Sequence, residues 1–305
     1  MPNDAKSGLP PWTVLKILQW TTAYFKQHDL DTPRIDAEIL LAHALRCQRI
    51  DLYLRHDQPL NEAELADFKL LIKRRIQKEP VAYIVGFKEF WSLRFNVTAG
   101  VLIPRPDTEC LVEKALSLLP ARDNSAQANI LELGVGSGAI IVALAHERPT
   151  CRYWASDISW AAIQTARQNA NLNRVGQSIN FFVTNWFEAV SCNCIQFDLI
   201  VTNPPYIASN DIAGLSPDIR DFEPLRALDG GPDGLKEIRL IVHQAYKHLK
   251  PGGWLLIEIG FDQREAVQEI IQQFDGYNRP EFHRDLGGQD RVAMLQRNSE
   301  YRLIS

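Results

Sequence analysis

A predicted hydrophobic strand that breaks into three alternating glycines is the feature that most constrains this chain. It reads Asn129-Ile-Leu-Glu-Leu-Gly-Val-Gly-Ser-Gly138 and leads into an apolar stretch with helical character. Glycine permits a tight turn and lets a ligand approach without a Cβ in the way. The helix that follows presents free N–H groups and the positive end of its dipole. The pattern therefore predicts a nucleotide-type pocket at the end of a buried strand.

Strands and helices alternate regularly after residue 108. The predicted helices cover 108–119, 138–146, 159–173, 235–249 and 262–274. The predicted strands cover 129–133, 152–156, 179–184, 197–202, 253–259 and the regions near 280–285 and 292–296. This alternation is typical of α/β proteins with a doubly wound, mostly parallel sheet. We expect the last two strands to form an antiparallel edge.

The N-terminal part has a different pattern and is predicted to be helical. Three helices are expected, near 12–27, from Pro33 onward, and after Asn61, which with Glu64 has the spacing of a capping box. From about Phe87 the pattern changes to a short β-hairpin turning near Ser92, and then to a proline-rich run. We therefore expect a small helical domain at 1–86, a hairpin and proline-rich connector at 87–107, and an α/β domain at 108–305.

Composition narrows the possible partners. The 305 residues are 46% hydrophobic with a net charge of −4, which does not favour a protein that coats nucleic acid or an anionic membrane. One basic cluster ends the third predicted helix: Lys73, Arg74, Arg75 and Lys78. Such a cluster usually complements the helix dipole. Contact with an acidic partner or with RNA is the alternative.

The chain also lacks the usual signs of secretion or metal binding. Its N-terminus has no apolar signal core, and its longest apolar run is shorter than the about 20 residues that a membrane span needs. Five cysteines without a CxxC pair favour a reducing cytoplasm and no metal. The neighbouring Cys192 and Cys194 leave a metal or redox role as a minor alternative. We expect a cytoplasmic monomer.

Acidic and aromatic residues near the glycines indicate which nucleotide is bound. Glu132 precedes the first glycine by two residues, which disfavours a pyrophosphate and suits the cationic methionine end of S-adenosylmethionine. Asp157 ends the second strand, where it can accept hydrogen bonds from ribose hydroxyls. Asn185 and Trp186 follow the third strand, where they can bind and cover the adenine. A NAD-type site or a purely structural turn is the alternative, as is a place in the core for Trp186.

A second constellation follows the fourth strand of the α/β domain: Asn203-Pro204-Pro205-Tyr206. Two prolines fix the backbone and remove two N–H donors. What remains is a pair of acceptors, the Asn203 side-chain oxygen and the Pro204 carbonyl, that can hold a planar NH₂ group. Tyr206 can pack on the flat face of that group. The quartet therefore predicts methylation of an amide or exocyclic amino nitrogen, promoted mainly by proximity and alignment.

The chain resembles the HemK/PrmC family of protein-(glutamine-N5) methyltransferases, which act on peptide chain release factors. The shared segments are Phe90–Leu93, Leu102–Glu113, Gly134–Gly138, Asn203–Ile207, Phe222–Pro224 and Leu228–Gly234. The resemblance covers nearly the whole chain, and the Ile-Pro-Arg-Pro-Asp-Thr-Glu run within it is highly specific. It implies a class I, Rossmann-like methyltransferase domain with S-adenosylmethionine as cofactor. It also implies that the helical domain grips the protein substrate.

The site residues follow from these patterns and from the resemblance. The cofactor set is Glu132, Gly134, Val135, Gly136, Ser137, Gly138, Asp157, Asn185, Trp186 and Asn203. The catalytic set is Asn203, Pro204, Pro205 and Tyr206, which the resemblance implies hold the glutamine of the Gly-Gly-Gln motif of release factors. Asn185 departs from the aspartate that the family often has there, but its amide oxygen can still accept from adenine.

Two other acceptors remain open at this stage. One is a glutamine of a large-subunit ribosomal protein, the substrate of sister enzymes that share the quartet. The other is adenine N6 of a nucleic acid, which would require base extrusion and a basic channel over the phosphates. A non-catalytic protein that binds the cofactor and docks on the translation machinery is a third reading. The near-neutral charge disfavours the nucleic-acid reading, so we expect no direct nucleic-acid contact.

Overall fold

The structure is a computed structural model that describes residues 12–121, 127–191 and 194–299. The N-terminal segment considered for a signal sequence and Cys192 lie outside these residues. The described residues divide into two compact units, one made of 12–86 and 217–222 and the other of 87–216 and 223–299. Within the described residues, no helix is long and apolar enough to cross a membrane.

The first unit is helical. Its helices are α1 Val14–Gln27, α2 Pro33–Ala44, α3 Arg49–Leu54, α4 Glu62–Ile76 and α5 Val81–Val85, with residues 217–222 contributing the short helix α9 Pro217–Arg220. The capping box of α4 forms as predicted, because Asn61 and Glu64 each accept the backbone N–H of the other. The short helices α3 and α5 were not predicted from the sequence. At 6 and 5 residues they are too short to show a helical period.

The basic cluster at the end of α4 is largely satisfied inside the first unit. Arg74 pairs with Glu79, Arg75 pairs with Asp36, and Lys78 donates to the carbonyls of His28 and Asp29. Arg75 and Asp36 are both buried. These contacts favour a structural role for the cluster over the alternative of binding RNA or an acidic partner.

The second unit begins with the expected hairpin. Strands β1 Phe87–Phe90 and β2 Leu93–Asn96 are antiparallel, and Phe90 pairs with Leu93 across the two-residue turn Trp91-Ser92. Both turn residues have positive φ, 52° and 57°, as the tightest hairpin turns require. Neither is glycine, so other contacts must hold them. The carboxylate of Glu109 accepts the Trp91 backbone N–H at 2.8 Å, and Glu147 accepts its indole N–H at 3.1 Å.

A seven-stranded sheet forms the centre of the second unit. Its strands are β3 Asn129–Leu133, β4 Arg152–Asp157, β5 Ile179–Val183, β6 Phe197–Thr202, β7 Leu249–Glu258, β8 Glu281–Arg284 and β9 Asp290–Gln296. They lie in the order β5-β4-β3-β6-β7-β9-β8, with β9 antiparallel to both β7 and β8 and the others parallel. The predicted parallel sheet with an antiparallel edge is confirmed.

The longer helices of the second unit are α6 Glu109–Leu118, which precedes β3, and four that lie between later strands: α7 Ala139–Glu147, α8 Trp160–Leu172, α10 Lys236–His248 and α11 Arg264–Gln272. Two hydrophobic clusters pack them against the sheet. The prediction for β7 began four residues late, because Pro251 and the glycines after it read as a turn. The strand absorbs them through a register shift beside Phe197. The order of strands reverses between β3 and β6, which is where ligands bind in doubly wound sheets.

Candidate active site

The three glycines of the turn between β3 and α7 have different structural roles. All three have positive φ: 70° at Gly134, 52° at Gly136 and 84° at Gly138. A Cβ on Gly138 would lie 3.1 Å from Ala166 of α8, so this glycine allows two helices to pack closely. A Cβ on Gly136 would meet nothing within 4 Å. The middle of the turn is therefore open to a ligand.

A cavity of about 720 Å³ lies at this turn. Its size is within the usual range for small-molecule sites, about 300–1,000 Å³. The structure brings nine of the ten predicted cofactor residues to its wall, the exception being Gly138, which packs against α8. Of the predicted quartet, Asn203 and Pro205 line the cavity, whereas Pro204 and Tyr206 lie outside its wall.

Asp157 ties the end of β4 to the glycine turn. One carboxylate oxygen accepts the Gly136 N–H at 2.9 Å and the other accepts the Ser159 N–H at 2.8 Å. Burial raises the pKa of Asp157, and these hydrogen bonds oppose that rise. Each carboxylate oxygen keeps a second lone pair. The residue can thus hold the turn in place and still accept a ligand hydroxyl.

Glu132 brings a second carboxylate to the wall of the cavity. It is 1% exposed, and its Oε2 accepts the N–H of Ile141 in the first turn of α7 at 2.9 Å. Burial raises its pKa well above the usual range, and the nearby Asp157 adds to that rise, against the hydrogen bond from Ile141. A cationic ligand would favour its ionised form. The cavity is therefore suited to a positively charged group near β3.

Trp186 and Asn185 follow β5 and also line the cavity. The Trp186 indole N–H donates to Glu237 at 2.7 Å, and the ring lies beside Gly134, 3.7 Å from where a Cβ would stand. Its backbone has a φ of 47°, unusual for a residue with a side chain. The Asn185 amide donates to Glu188 at 2.7 Å, which leaves its oxygen as an acceptor. Trp186 also packs on a core cluster, as the alternative reading of this residue expected, whereas its contact with adenine stays a prediction.

Asn203 stands directly after β6, and its orientation is defined by a threonine. Its side-chain NH₂ donates to the hydroxyl oxygen of Thr108 at 3.3 Å. The Asn203 amide oxygen is left to accept a hydrogen bond at the cavity wall, as predicted for the residue that binds an NH₂ group. Tyr206 is turned into the protein, where its hydroxyl donates to Glu258 at 3.3 Å. Burial raises the pKa of Tyr206.

Comparison with known proteins agrees with this geometry. Residues 16–86 match the family described as PrmC N-terminal domain, and residues 112–215 match the methyltransferase small domain. The release factor glutamine methyltransferase of Geobacter sulfurreducens is 43% identical over 92% of this chain and 96% of the relative. The enzyme of the same name from Coxiella burnetii is 41% identical over 87% of this chain and 92% of the relative.

The chain belongs to the release factor glutamine methyltransferase family. Its fold is also similar to that of the hMettl16 catalytic domain, with a TM-score of 0.54 and 15% identity over 70% of this chain and 78% of that chain. At this level of identity the similarity concerns the fold and not the substrate, and it agrees with the predicted methyltransferase fold.

Segments that carry the sequence resemblance meet in space around the quartet. Ile207 donates its N–H to the Leu228 carbonyl at 3.0 Å, and Gly230 donates to the Ile207 carbonyl at 2.8 Å. Gln263 donates to the Tyr206 carbonyl at 2.9 Å. The Leu228–Gly234 segment is therefore a brace for the backbone that carries the quartet, a role that sequence reasoning did not assign.

A second contact joins two further segments that carry the sequence resemblance. Glu223 forms an ion pair with Arg105 and accepts the Ile103 N–H at 3.2 Å. Glu223 is buried, and both Arg105 and the neighbouring Pro224 line the cavity. Sequence reasoning noted both motifs only as part of the resemblance. Their opposite charges were the available signal, but nothing in the sequence showed that residues so far apart would pair.

We expect Asp157→Asn to raise the Kd for S-adenosylmethionine at least about tenfold, because an amide NH₂ group would face one of two N–H donors and loosen the glycine turn. Titration calorimetry measures this directly. Asp198→Asn is the matched control, since Asp198 also accepts a backbone N–H, from Asn129 at 2.7 Å, but lies at the start of β6. Equal affinities for Asp157→Asn and the unchanged protein would contradict the prediction.

Proposed function

We propose that this protein transfers a methyl group from S-adenosylmethionine to the side-chain amide nitrogen (N5) of the glutamine in the Gly-Gly-Gln motif of peptide chain release factors. The orientation of Asn203 carries the proposal. Its NH₂ group donates one hydrogen bond to Thr108, and its oxygen remains as an acceptor in a cavity lined by nine predicted cofactor residues. Family membership and the names of the relatives support the same acceptor.

The residues of the chain would act by holding the acceptor amide. In the proposal, the Asn203 side-chain oxygen and the Pro204 carbonyl accept the two hydrogens of the glutamine NH₂ group. An amide nitrogen is a poor nucleophile because its lone pair is delocalised, so alignment toward the methyl group supplies much of the rate. Pro204 and Tyr206 lie outside the cavity wall, so in the proposal they meet the substrate beside the cavity rather than within it.

The predicted cofactor residues fit S-adenosylmethionine. Glu132 and Asp157 bring carboxylates to the wall, and the open Gly136 leaves room for a ligand at the turn. When bound, S-adenosylmethionine would supply an electrophilic methyl group on a sulfonium, with a neutral thioether as the leaving group. The amide nitrogen then loses one proton to solvent. Asn185 would accept from adenine, Trp186 would cover its ring, and Asp157 would bind ribose hydroxyls.

The rest of the proposal concerns the protein substrate. The helical N-terminal domain, predicted to end at residue 86, would bind the release factor. The cations at the end of α4 are occupied within the helical unit, which disfavours RNA as the substrate bound there. We place the reaction in the cytoplasm and assign it to a monomer.

Transfer of label tests this function. The purified protein is incubated with methyl-labelled S-adenosylmethionine and either a release factor or a copy whose Gly-Gly-Gln glutamine is alanine. We expect label on the first and none on the second, with the mass of one methyl group on the peptide that contains the motif. Equal labelling of both would refute the assigned acceptor. If label were found only on a large-subunit ribosomal protein or on RNA, that molecule would replace the release factor as the assigned substrate.

A further inference from the structure

Glu258 is a buried carboxylate that the proposed mechanism does not yet use. It ends β7, follows a run of fully buried apolar residues, and is itself 1% exposed. Its Oε1 accepts from the Tyr206 hydroxyl at 3.3 Å. Its Oε2 is buried without a hydrogen-bond partner. A buried carboxylate with an unused acceptor oxygen is unfavourable for folding, so its position beside the quartet requires an explanation.

Thr108 contacts the residue proposed to hold the substrate. The threonine oxygen accepts from the Asn203 NH₂ group, so its own hydrogen is left to point elsewhere. Burial raises the pKa of Glu258, and the Thr108 hydroxyl opposes that rise. Oε2 of Glu258 is a buried acceptor that no hydrogen bond satisfies. A hydrogen bond from Thr108 to Oε2 would satisfy it, and the hydrogen bonds would then run in one direction, from Asn203 to Thr108 to Glu258.

We propose that Glu258 accepts the Thr108 hydrogen and is a positioning residue, which fixes the direction of this hydrogen-bond chain and keeps the Asn203 oxygen, rather than its NH₂ group, facing the acceptor amide. The inference rests on the proposed function. An ionised carboxylate can only accept hydrogen bonds, so the Thr108 hydrogen must point toward it. The Thr108 oxygen must then accept from Asn203. If the chain ran the other way, the Asn203 NH₂ group would face the NH₂ group of the substrate.

Protonation of Glu258 would remove this constraint, because a carboxylic acid can donate its hydrogen to Thr108. Burial raises the pKa of Glu258 to about 7, against the Thr108 and Tyr206 hydroxyls and the positive charge of Arg291. The titratable groups that face it are Tyr206, Asp107, Cys110 and Arg291. The rate should therefore fall as the pH falls through about 7. Asp157 and Glu132 also have raised pKa values, so a variant of Glu258 is needed to assign the change.

The same shift makes a separate prediction for stability. The pKa of Glu258 is about 7 in the folded state, above its usual value of 4.5. The stability that proton binding by Glu258 gives the folded state is therefore complete below pH 4.5 and is lost as the pH rises through about 7. Glu258→Gln does not titrate. Its Tm relative to the unchanged protein should be higher at about pH 8 than at about pH 5, by roughly 5 °C. Scanning calorimetry at the two pH values measures this difference.

Single-turnover methylation of a release factor at saturating cofactor tests the inference. Glu258→Gln should lower the rate of transfer at least about thirtyfold, leave the Kd for S-adenosylmethionine within about threefold, and flatten the fall in rate below about pH 7. The matched control is Glu281→Gln on β8, where the carboxylate is exposed. An unchanged rate in Glu258→Gln, or an unchanged pH profile, would overturn the inference.

Thr108 supplies an independent pair of variants in case Glu258→Gln does not fold. Thr108→Val removes the hydroxyl at nearly constant volume and should reproduce the loss of rate, whereas Thr108→Ser keeps the hydroxyl and should restore most of it. If Thr108→Val is as active as the unchanged protein, Glu258 does not act through this chain and the inference fails. If instead the unchanged protein fails to methylate the release factor, the proposed function fails.

Discussion

Replacing Asn203 with alanine is expected to lower the rate of methyl transfer to a release factor about a thousandfold, the loss typical of removing a preorganised hydrogen-bonding group at a reacting centre. The amide oxygen of Asn203 is the acceptor that Thr108 leaves free at the cavity wall. Without it, one hydrogen of the glutamine NH₂ group has no partner and the nitrogen is no longer aligned. Single-turnover kinetics with saturating cofactor and varied release factor measure the loss in the chemical step.

Cofactor affinity separates this effect from damage to the pocket. The Kd of Asn203→Ala for S-adenosylmethionine should rise less than about tenfold, because nine other residues were predicted to contact the cofactor. The matched control is Asn278→Ala, which removes an exposed asparagine that donates to Gln296. Its rate and affinity should equal those of the unchanged protein. A fully active Asn203→Ala would exclude the proposed role of Asn203.

The part of the site that could be predicted is encoded locally. The glycine turn, Asp157 and Asn203 each lie where a strand ends, and parallel strands place their C-terminal ends at one edge of the sheet. Local patterns together with this rule were enough to predict ten cofactor residues, nine of which line one cavity in the structure. Local patterns also predicted the parallel sheet, its antiparallel edge and a hairpin turning near Ser92.

The supporting residues could not be found in the same way, because each depends on a contact between distant segments. Thr108 and Glu258 are joined to the quartet across long stretches of chain. The sequence does show that Glu258 is an acidic residue at the end of an apolar strand. That position alone does not show which side chains Glu258 contacts. Tyr206 shows the converse. Its place in the quartet predicted that its ring packs on the substrate, which stays a prediction, but gave no sign that its hydroxyl donates to Glu258.

Gly234→Ala should produce the largest effect of any change outside the cavity wall. Gly234 has a φ of 73°, and an added Cβ would lie 2.4 Å from the Tyr206 carbonyl oxygen, closer than any real contact allows. The backbone of the quartet would have to move. Because a displacement of about 1 Å at a reacting centre can lower a rate about a hundredfold, we expect at least that loss in the rate of methyl transfer. Cofactor affinity should change much less, since the glycine turn is untouched.

Gly288→Ala is the matched control for this change. Gly288 lies in the turn between β8 and β9 with a φ of 80°, but a Cβ there would meet nothing within 4 Å. Both variants suffer the left-handed backbone strain of about 1–2 kcal/mol, so thermal unfolding should show a similar lowering of Tm from that source. Only in Gly234→Ala would the new Cβ clash with the backbone of the quartet. If the two variants lose activity equally, backbone strain alone explains the loss, and the Leu228–Gly234 segment does not brace the active site.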